Sequence, residues 1–116
     1  MRKAAALAAL AALLHSVCSA EIYTGRHVAD WSTAFERTQA GTARPGDTQD
    51  ASKLLGYVAG VADSSVTLKI LCIPNGTTVG QLMAMTSKYA RENPERWLET
   101  ANNTVFAALH PTFVLS

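Results

Sequence analysis

Apolar residues recur at helical spacing in four stretches of the chain, separated by short polar or proline-containing segments. Side chains three or four residues apart share one face of a helix, so each stretch predicts a helix with one buried face. The predicted helices span residues 25–37, 49–65, 78–92 and 94–109. Their expected core faces are Val28, Trp31, Ala34 and Phe35; Ala51, Leu54, Leu55, Val58 and Ala62, with Val66 as a marginal member; Val79, Leu82, Met83, Thr86, Tyr89 and Ala90; and Trp97, Leu98, Ala101, Val105, Ala108 and Leu109.

Residues at the predicted helix ends support these boundaries. Thr78 and Gln81 have the spacing of a capping box, in which each side chain bonds the backbone N–H of the other residue. Pro94 ends the third helix at Asn93 and takes the first position of the fourth, which Pro111 ends in turn. Further candidate N-caps are Thr24 for the first helix and Asp47 or Thr48 for the second.

Two connecting segments differ in character. Residues 38–50 are polar and rich in glycine, and we expect a mobile surface loop there. Residues 64–76 contain an apolar, β-branched run. A strand in this run would lack a second strand to pair with, so an extended link is the better interpretation. The expected details of the link are Leu68, Leu71 and Ile73 inward, Lys69 outward, and a turn at Pro74, Asn75 and Gly76.

Gly56 and Gly60 lie four residues apart within the second predicted helix, and therefore on one face. Glycine costs about 1 kcal/mol relative to alanine inside a helix. The pair predicts that another helix packs closely against this face, and the alternative is that both glycines are accidents of a weak helix. Taken together, the four helices and the absence of a repeat predict an all-α fold, a small single-domain bundle of about four helices over residues 21–116.

The first twenty residues have the organisation of a cleaved signal peptide. Arg2 and Lys3 precede an alanine- and leucine-rich run that ends in the small residues before Glu21. Cleavage after Ala20 is the predicted site, and an uncleaved anchor is the alternative. Without the signal peptide the formal charge changes from +1 to −1. No basic field remains that would bind nucleic acid.

Cys72 is the single cysteine left once Cys18 departs with the signal peptide. In an oxidising compartment such a thiol is either buried and inert or available to a second chain. We expect a small buried residue, with an intermolecular disulfide as the lesser alternative. A catalytic thiol is the least favoured, because neither His27 nor His110 is near it in sequence.

The chain contains no sequence pattern of an enzyme, cofactor or metal site. The nucleophile elbow, the zinc-binding helix motif, the phosphate loop and the C-x-x-C pair are all missing. Met83 and Met85 are two residues apart, so they point to different faces of a helix and make a poor ligand pair. We therefore predict a protein that is not an enzyme and that takes no cofactor, metal or small-molecule substrate.

Short motifs follow one another in a fixed order after residue 54. They contain Gly56, Tyr57, Gly60, Cys72, Pro74, Thr78, Gln81, Tyr89 and Pro94, with Thr24 and Gly25 as a weaker match near the mature start. Their order and spacing resemble those of the periplasmic immunity proteins that protect bacteria from type VI secretion peptidoglycan amidases, the Tai or Rap type. The resemblance implies a periplasmic helical protein with a cell-wall amidase as partner, and a homodimer as a further possibility. It also implies cysteines near Trp31, Leu54 and the C-terminus, which this chain lacks.

Three features together predict an inhibitor that occupies the active-site cleft of a cognate amidase. They are the signal peptide, the missing catalytic motifs and the family resemblance. A rigid helical frame lowers the ordering cost of such binding. The alternative is a periplasmic helical protein with chaperone-like or structural work and no toxin partner. We expect the contact surface at the polar edge of the link between the second and third helices. The residues there are Asp63, Ser64, Ser65, Lys69, Asn75 and Gly76. The loop 38–50 is the second choice.

Overall fold

The computed structural model describes residues 22–115, and the predicted signal peptide with its cleavage site lies outside them. The described chain forms α1 (Gly25–Gln39), α2 (Asp47–Thr67), α3 (Val79–Glu92) and α4 (Ala101–Phe113), with a 3₁₀ turn (Pro94–Arg96) between α3 and α4. Over this range the backbone forms isolated bridges but no strand. The predicted all-α class is confirmed.

All four helices contribute side chains to one core. Each helix contacts the other three, and most buried apolar residues come from the predicted faces, with Ala29 and Phe113 as buried residues that the pattern missed. Burying a Val, Leu or Met side chain contributes roughly 1.5–3 kcal/mol, so this core supplies most of the stability of the bundle. Its fully or largely buried members include Val28, Trp31, Leu54, Val58, Leu82, Met83, Val105 and Leu109.

The capping box at the start of α3 is confirmed. Thr78 Oγ1 accepts from the backbone N–H of Gln81 at 3.2 Å, and the Thr78 N–H donates to Gln81 Oε1 at 2.9 Å. Thr24 occupies the N-cap position of α1, also as predicted. Its backbone N–H donates to Nδ1 of His27 at 3.1 Å. Local sequence signals therefore set these two helix starts.

The last predicted helix begins seven residues later than expected. Pro94 opens a 3₁₀ turn, and α4 starts only at Ala101, where Thr100 Oγ1 accepts from the N–H of Asn103. The indole of Trp97 donates to the carbonyl oxygen of Ala90 at 2.7 Å, which holds the connection against α3. The predicted end at Pro111 is also wrong, because α4 continues to Phe113. A proline one turn from the end removes one helical hydrogen bond.

Four apolar residues placed in the core by the sequence pattern are exposed instead: Leu55, Val66, Leu68 and Leu98. On α2 the buried stripe is narrow, since Leu54, Val58 and Ala62 follow one another at four-residue spacing. Leu98 lies in the connection between the 3₁₀ turn and α4, where no helical face directs it inward. The inward positions of Leu71 and Ile73 are as predicted.

The beginning of α1 is bonded to the connection between α3 and α4. The N–H of Gly25 donates to the carbonyl oxygen of Glu99 at 2.8 Å, and the N–H of Ala101 donates to that of Tyr23 at 2.9 Å. A Cβ atom on Gly25 would lie 2.7 Å from Thr104 Oγ1 and 3.0 Å from the Cα atom of Trp97. Only glycine fits this contact without a shift of its neighbours.

The loop between α1 and α2 is shorter than predicted, because α1 reaches Gln39 and α2 begins at Asp47. Arg37 donates to both carboxylate oxygens of Asp47 at 2.8 Å, and the N–H of Arg44 donates to the same carboxylate. These donors lower the pKa of Asp47 to about 2. Asp47 is the first residue of α2, and its bonds to Arg37 join the start of α2 to the end of α1. Gly46 takes the N-cap position predicted for Asp47 or Thr48.

Candidate partner-binding surface

The end of α2 is closed by a tight turn at Leu68, Lys69 and Ile70. The carbonyl oxygen of Ser65 accepts from the N–H of Ile70 at 2.8 Å, and that of Val66 accepts from the N–H of Lys69 at 3.0 Å. Lys69 has a φ of 58°, in the left-handed region that side chains other than glycine rarely adopt. This residue follows the C-cap of α2, and all three residues of the turn are exposed.

Two large apolar side chains flank Lys69 in this turn. Leu68 is 69% exposed and Ile70 is 44% exposed. The residue that follows the turn is anchored to the rest of the fold, because Leu71 is buried and pairs with Val114 in an isolated bridge. We call Leu68, Lys69 and Ile70 the apolar tip. Its side chains are free to contact a partner while its backbone is fixed by the fold.

A shallow groove of about 430 Å³ between α2 and α4 adjoins the apolar tip. Gly56 and Gly60 line it, and a Cβ atom on either glycine would have nothing within 4 Å. The predicted close packing of another helix against these glycines is therefore not made within the described chain. The remaining lining residues, none of them charged, are Tyr57, Val61, Ser64, Ser65, Leu68, Ile70, Asn102 and Phe106.

A second groove, of about 570 Å³, lies on the other flank of α2, against the link and the start of α3. Asp63 and Val66 line its α2 side, and Ile73 and Thr77 line the opposite side. The turn at Asn75 and Gly76 precedes Thr77 and is exposed. The last turns of α2 thus have a recess on each side, and the apolar tip follows directly after the helix.

The predicted contact residues divide between these features. Asp63 lines the groove beside α3, Ser64 lines the groove beside α4, and Lys69 is at the tip. Ser65 is only 5% exposed, and its carbonyl oxygen braces the tip, so its part in the surface is structural. Sequence reasoning missed Leu68 and Ile70, and their β-branched and leucine-rich neighbourhood gave no sign that these two side chains face outward.

Cys72 is exposed, which contradicts the prediction of a buried residue. Successive side chains of an extended segment point to opposite sides. Leu71 takes the inward position, and Cys72 consequently faces solvent. Its backbone N–H donates to the carbonyl oxygen of Phe113 at 2.8 Å, so the residue is fixed by its main chain and not by its thiol.

The other motif residues have packing or hydrogen-bonding contacts. The ring of Tyr57 packs edge to face on Tyr23 and tilts against Trp31, and burial raises the pKa of its hydroxyl. Tyr89 accepts a hydrogen bond from Arg96, which stacks over its ring at 5.8 Å from the centroid. Both tyrosines therefore have structural contacts within the fold.

No group of three or more His, Cys, Asp or Glu residues able to hold a metal ion occurs within residues 22–115. Across the same range, none of the helices is both long and apolar enough to span a bilayer. What the described chain offers to other molecules is a set of shallow recesses and an exposed apolar tip. The fold and surface are those of a small helical domain.

The family model of Rap1a immunity proteins matches the chain over residues 11–113. The chain therefore belongs to the Rap1a immunity protein family, as its motifs predicted. Membership implies that it binds a cognate effector, and immunity proteins of this kind are in general not catalytic. Neither the curated proteins nor the solved structures gave a significant match.

Proposed function

We propose that the chain is a periplasmic immunity protein that binds a cognate peptidoglycan amidase effector and blocks its cleft sterically. The observation that carries the proposal is the family match over residues 11–113. The predicted signal peptide would deliver the chain to the periplasm, where such an amidase acts. The predicted mature domain, residues 21–116, is then the working protein.

The apolar tip supports a steric mechanism. Leu68 and Ile70 expose apolar surface that a partner would remove from water on binding. The backbone N–H groups of Leu68 and Ile70 donate to the carbonyl oxygens of Ser64 and Ser65, so little backbone entropy is lost on binding. The tip enters the substrate cleft, and Asp63, Ser64, Asn75 and Gly76 contact its walls.

The homodimer implied by the resemblance has a suitable face on α2. Gly56 and Gly60 expose helix backbone in an uncharged groove, so a helix of a second copy can approach closely there. Gly60→Leu would fill this groove. In gel filtration with light-scattering detection, we expect the mass of a dimer for the wild-type chain and the mass of a monomer for Gly60→Leu. A wild-type monomer at every concentration would remove the dimer from the proposal.

Co-expression tests the function directly. A small peptidoglycan amidase, chosen as the candidate effector, is directed to the periplasm with and without the full-length chain. We expect lysis without the chain, survival with it, and a complex that persists through gel filtration. Equal lysis in both cultures, with no complex, would contradict immunity.

A chaperone-like role is the second candidate, favoured by the exposure of Leu68 and Ile70 next to an uncharged groove. Such a protein would suppress aggregation of several unrelated unfolded substrates at similar concentrations. An immunity protein would leave these substrates unaffected while binding the amidase stoichiometrically. Light scattering of a reduced unfolding substrate, with and without the chain, separates the two functions.

A further inference from the structure

A cavity of about 240 Å³ lies between α1 and the end of α3, apart from the apolar tip. Its polar and charged lining residues are Asp30, Glu36, Ser32, Thr33 and Ser87, together with the cation Arg91. Pro94 and Trp97 form an apolar wall. Carboxylates, hydroxyl acceptors and an aromatic ring together suit an ammonium or guanidinium group.

Ser87 is the feature of this cavity that lacks an explanation within the fold. It is 2% exposed, and its Oγ has no hydrogen-bond partner among the described residues. Buried hydroxyls are almost always bonded, so an orphan marks a site where a partner is missing. Ser32 and Thr33 donate to carbonyl oxygens of Val28 and Ala29 and retain acceptor capacity.

Arg91 occupies the edge of the cavity and pairs with Glu36 across the α1–α3 boundary. Glu36, Ser87 and Arg91 also line a larger groove of about 790 Å³ on the other side. The ion pair between Arg91 and Glu36 therefore lies where the two recesses meet. Its side chains are 60% and 39% exposed, and pairs this exposed are weak and exchange readily. The second carboxylate, Asp30, carries a similarly exposed partner, Arg26, at 3.5 Å.

The two recesses share Glu36, Ser87 and Arg91, and together their lining follows α3 from Thr78 to Pro94; we call the pair the α3 recess. At 1.5 Å per residue this is about 24 Å, the length of an extended peptide of roughly seven residues. We propose that this recess binds an extended segment of the partner protein, whose lysine or arginine side chain displaces Arg91 from Glu36 and bonds the hydroxyl of Ser87. The inference rests on the proposed function, because it supplies a second contact to the same partner.

A peptide titration tests the cavity without the amidase. The isotopically labelled chain, purified from the periplasm, is titrated with acetyl-Gly-Lys-Gly-amide and with acetyl-Gly-Leu-Gly-amide as the matched control. We expect saturable NMR shifts at Ser87, Thr33 and the Trp97 indole with the lysyl peptide alone. Arg91→Ala should bind it about two- to fivefold more tightly, since it lacks the competing exposed pair. Adding Glu36→Gln to that variant should reverse the gain.

Absence of saturable shifts in Arg91→Ala, or equal shifts from the leucyl peptide, would overturn the proposal. Ser87→Ala keeps the helix and removes the hydroxyl, and unchanged lysyl affinity in Arg91→Ala/Ser87→Ala would also contradict it. The amidase gives the second arm. If the amidase binds wild type and Arg91→Ala with equal affinity, the cavity proposal fails while the immunity function stands. If it binds neither, the immunity function fails and the peptide titration decides the cavity.

Discussion

At the scale of single residues, glycine has opposite roles at two places in the bundle. At Gly25 the neighbouring backbone is so close that a Cβ atom would collide with Thr104 and Trp97. At Gly56 nothing lies within 4 Å, and the glycine weakens α2 without a packing reason inside the described chain. The same residue type is therefore required in one position and costly in the other.

Alanine substitution at these two positions should change stability in opposite directions. Gly25→Ala overpacks a fixed contact and should destabilise the chain by about 1–3 kcal/mol. In the monomeric Gly60→Leu background, Gly56→Ala should stabilise the chain by about 0.5–1 kcal/mol, because alanine is the better helix former in open space. Urea unfolding followed by circular dichroism measures both. Equal effects of the two substitutions would contradict the contact at Gly25.

The exposure of Cys72 makes a second prediction at this scale. A thiol-specific reagent should label Cys72 in the folded chain at a rate similar to that in urea, because the side chain is already in solvent. Mass spectrometry after timed quenching measures the rate. Cys72→Ser should leave the urea midpoint nearly unchanged. Protection by a factor of a hundred or more in the native chain would restore the buried interpretation.

At the scale of elements, the helices were predictable where their signals are local. Thr78 and Gln81 lie within one turn of each other, so spacing alone identified the start of α3. The break before α4 depends on Trp97 bonding Ala90 across the chain, and no local pattern contains that contact. The apolar tip was missed for the same reason, since contacts with the C-terminus decide that Leu71 faces inward and Leu68 outward.

The tie between α1 and α2 should make stability depend on pH. The pKa of Asp47 is about 2 in the folded chain, below its usual value near 3.8, because Arg37 and Arg44 donate to the carboxylate. The stabilisation is therefore complete above the unfolded pKa and is lost as the pH falls toward 2. Wild type should be more stable than Asp47→Asn at neutral pH, and the difference should vanish near pH 2.

Urea midpoints from neutral pH down to about 2 measure this difference, with Asp50→Asn as the matched control. Asp50 is half exposed and pairs with Lys53 at 3.4 Å, so its removal should change the profile little. A pH-independent difference between wild type and Asp47→Asn would show that the carboxylate charge does not tie the loop.

At the scale of the whole molecule, this chain maintains its fold without the cysteines that the resemblance implies. Trp31 and Leu54 stand in those neighbourhoods, and both are buried in the core. A disulfide contributes about 2–4 kcal/mol, and burying a large apolar side chain contributes roughly 1.5–3 kcal/mol. The two are of similar size, so hydrophobic packing offsets much of the missing covalent stabilisation. Fold class and family were predictable because they rest on many residues, whereas the binding surface rests on a few.

The most direct test of the account is the affinity of the chain for the amidase against which it protects cells in co-expression, measured by calorimetry for wild type, Leu68→Asp and Leu98→Asp. Leu98 is 89% exposed and lies outside the apolar tip, which makes it a matched control for Leu68. Loss of an interface anchor costs about 2 kcal/mol or more, so Leu68→Asp should bind at least about thirtyfold more weakly. Leu98→Asp should bind within about twofold of wild type. No binding by wild type, or equal losses in the two variants, would contradict an immunity protein that acts through its apolar tip.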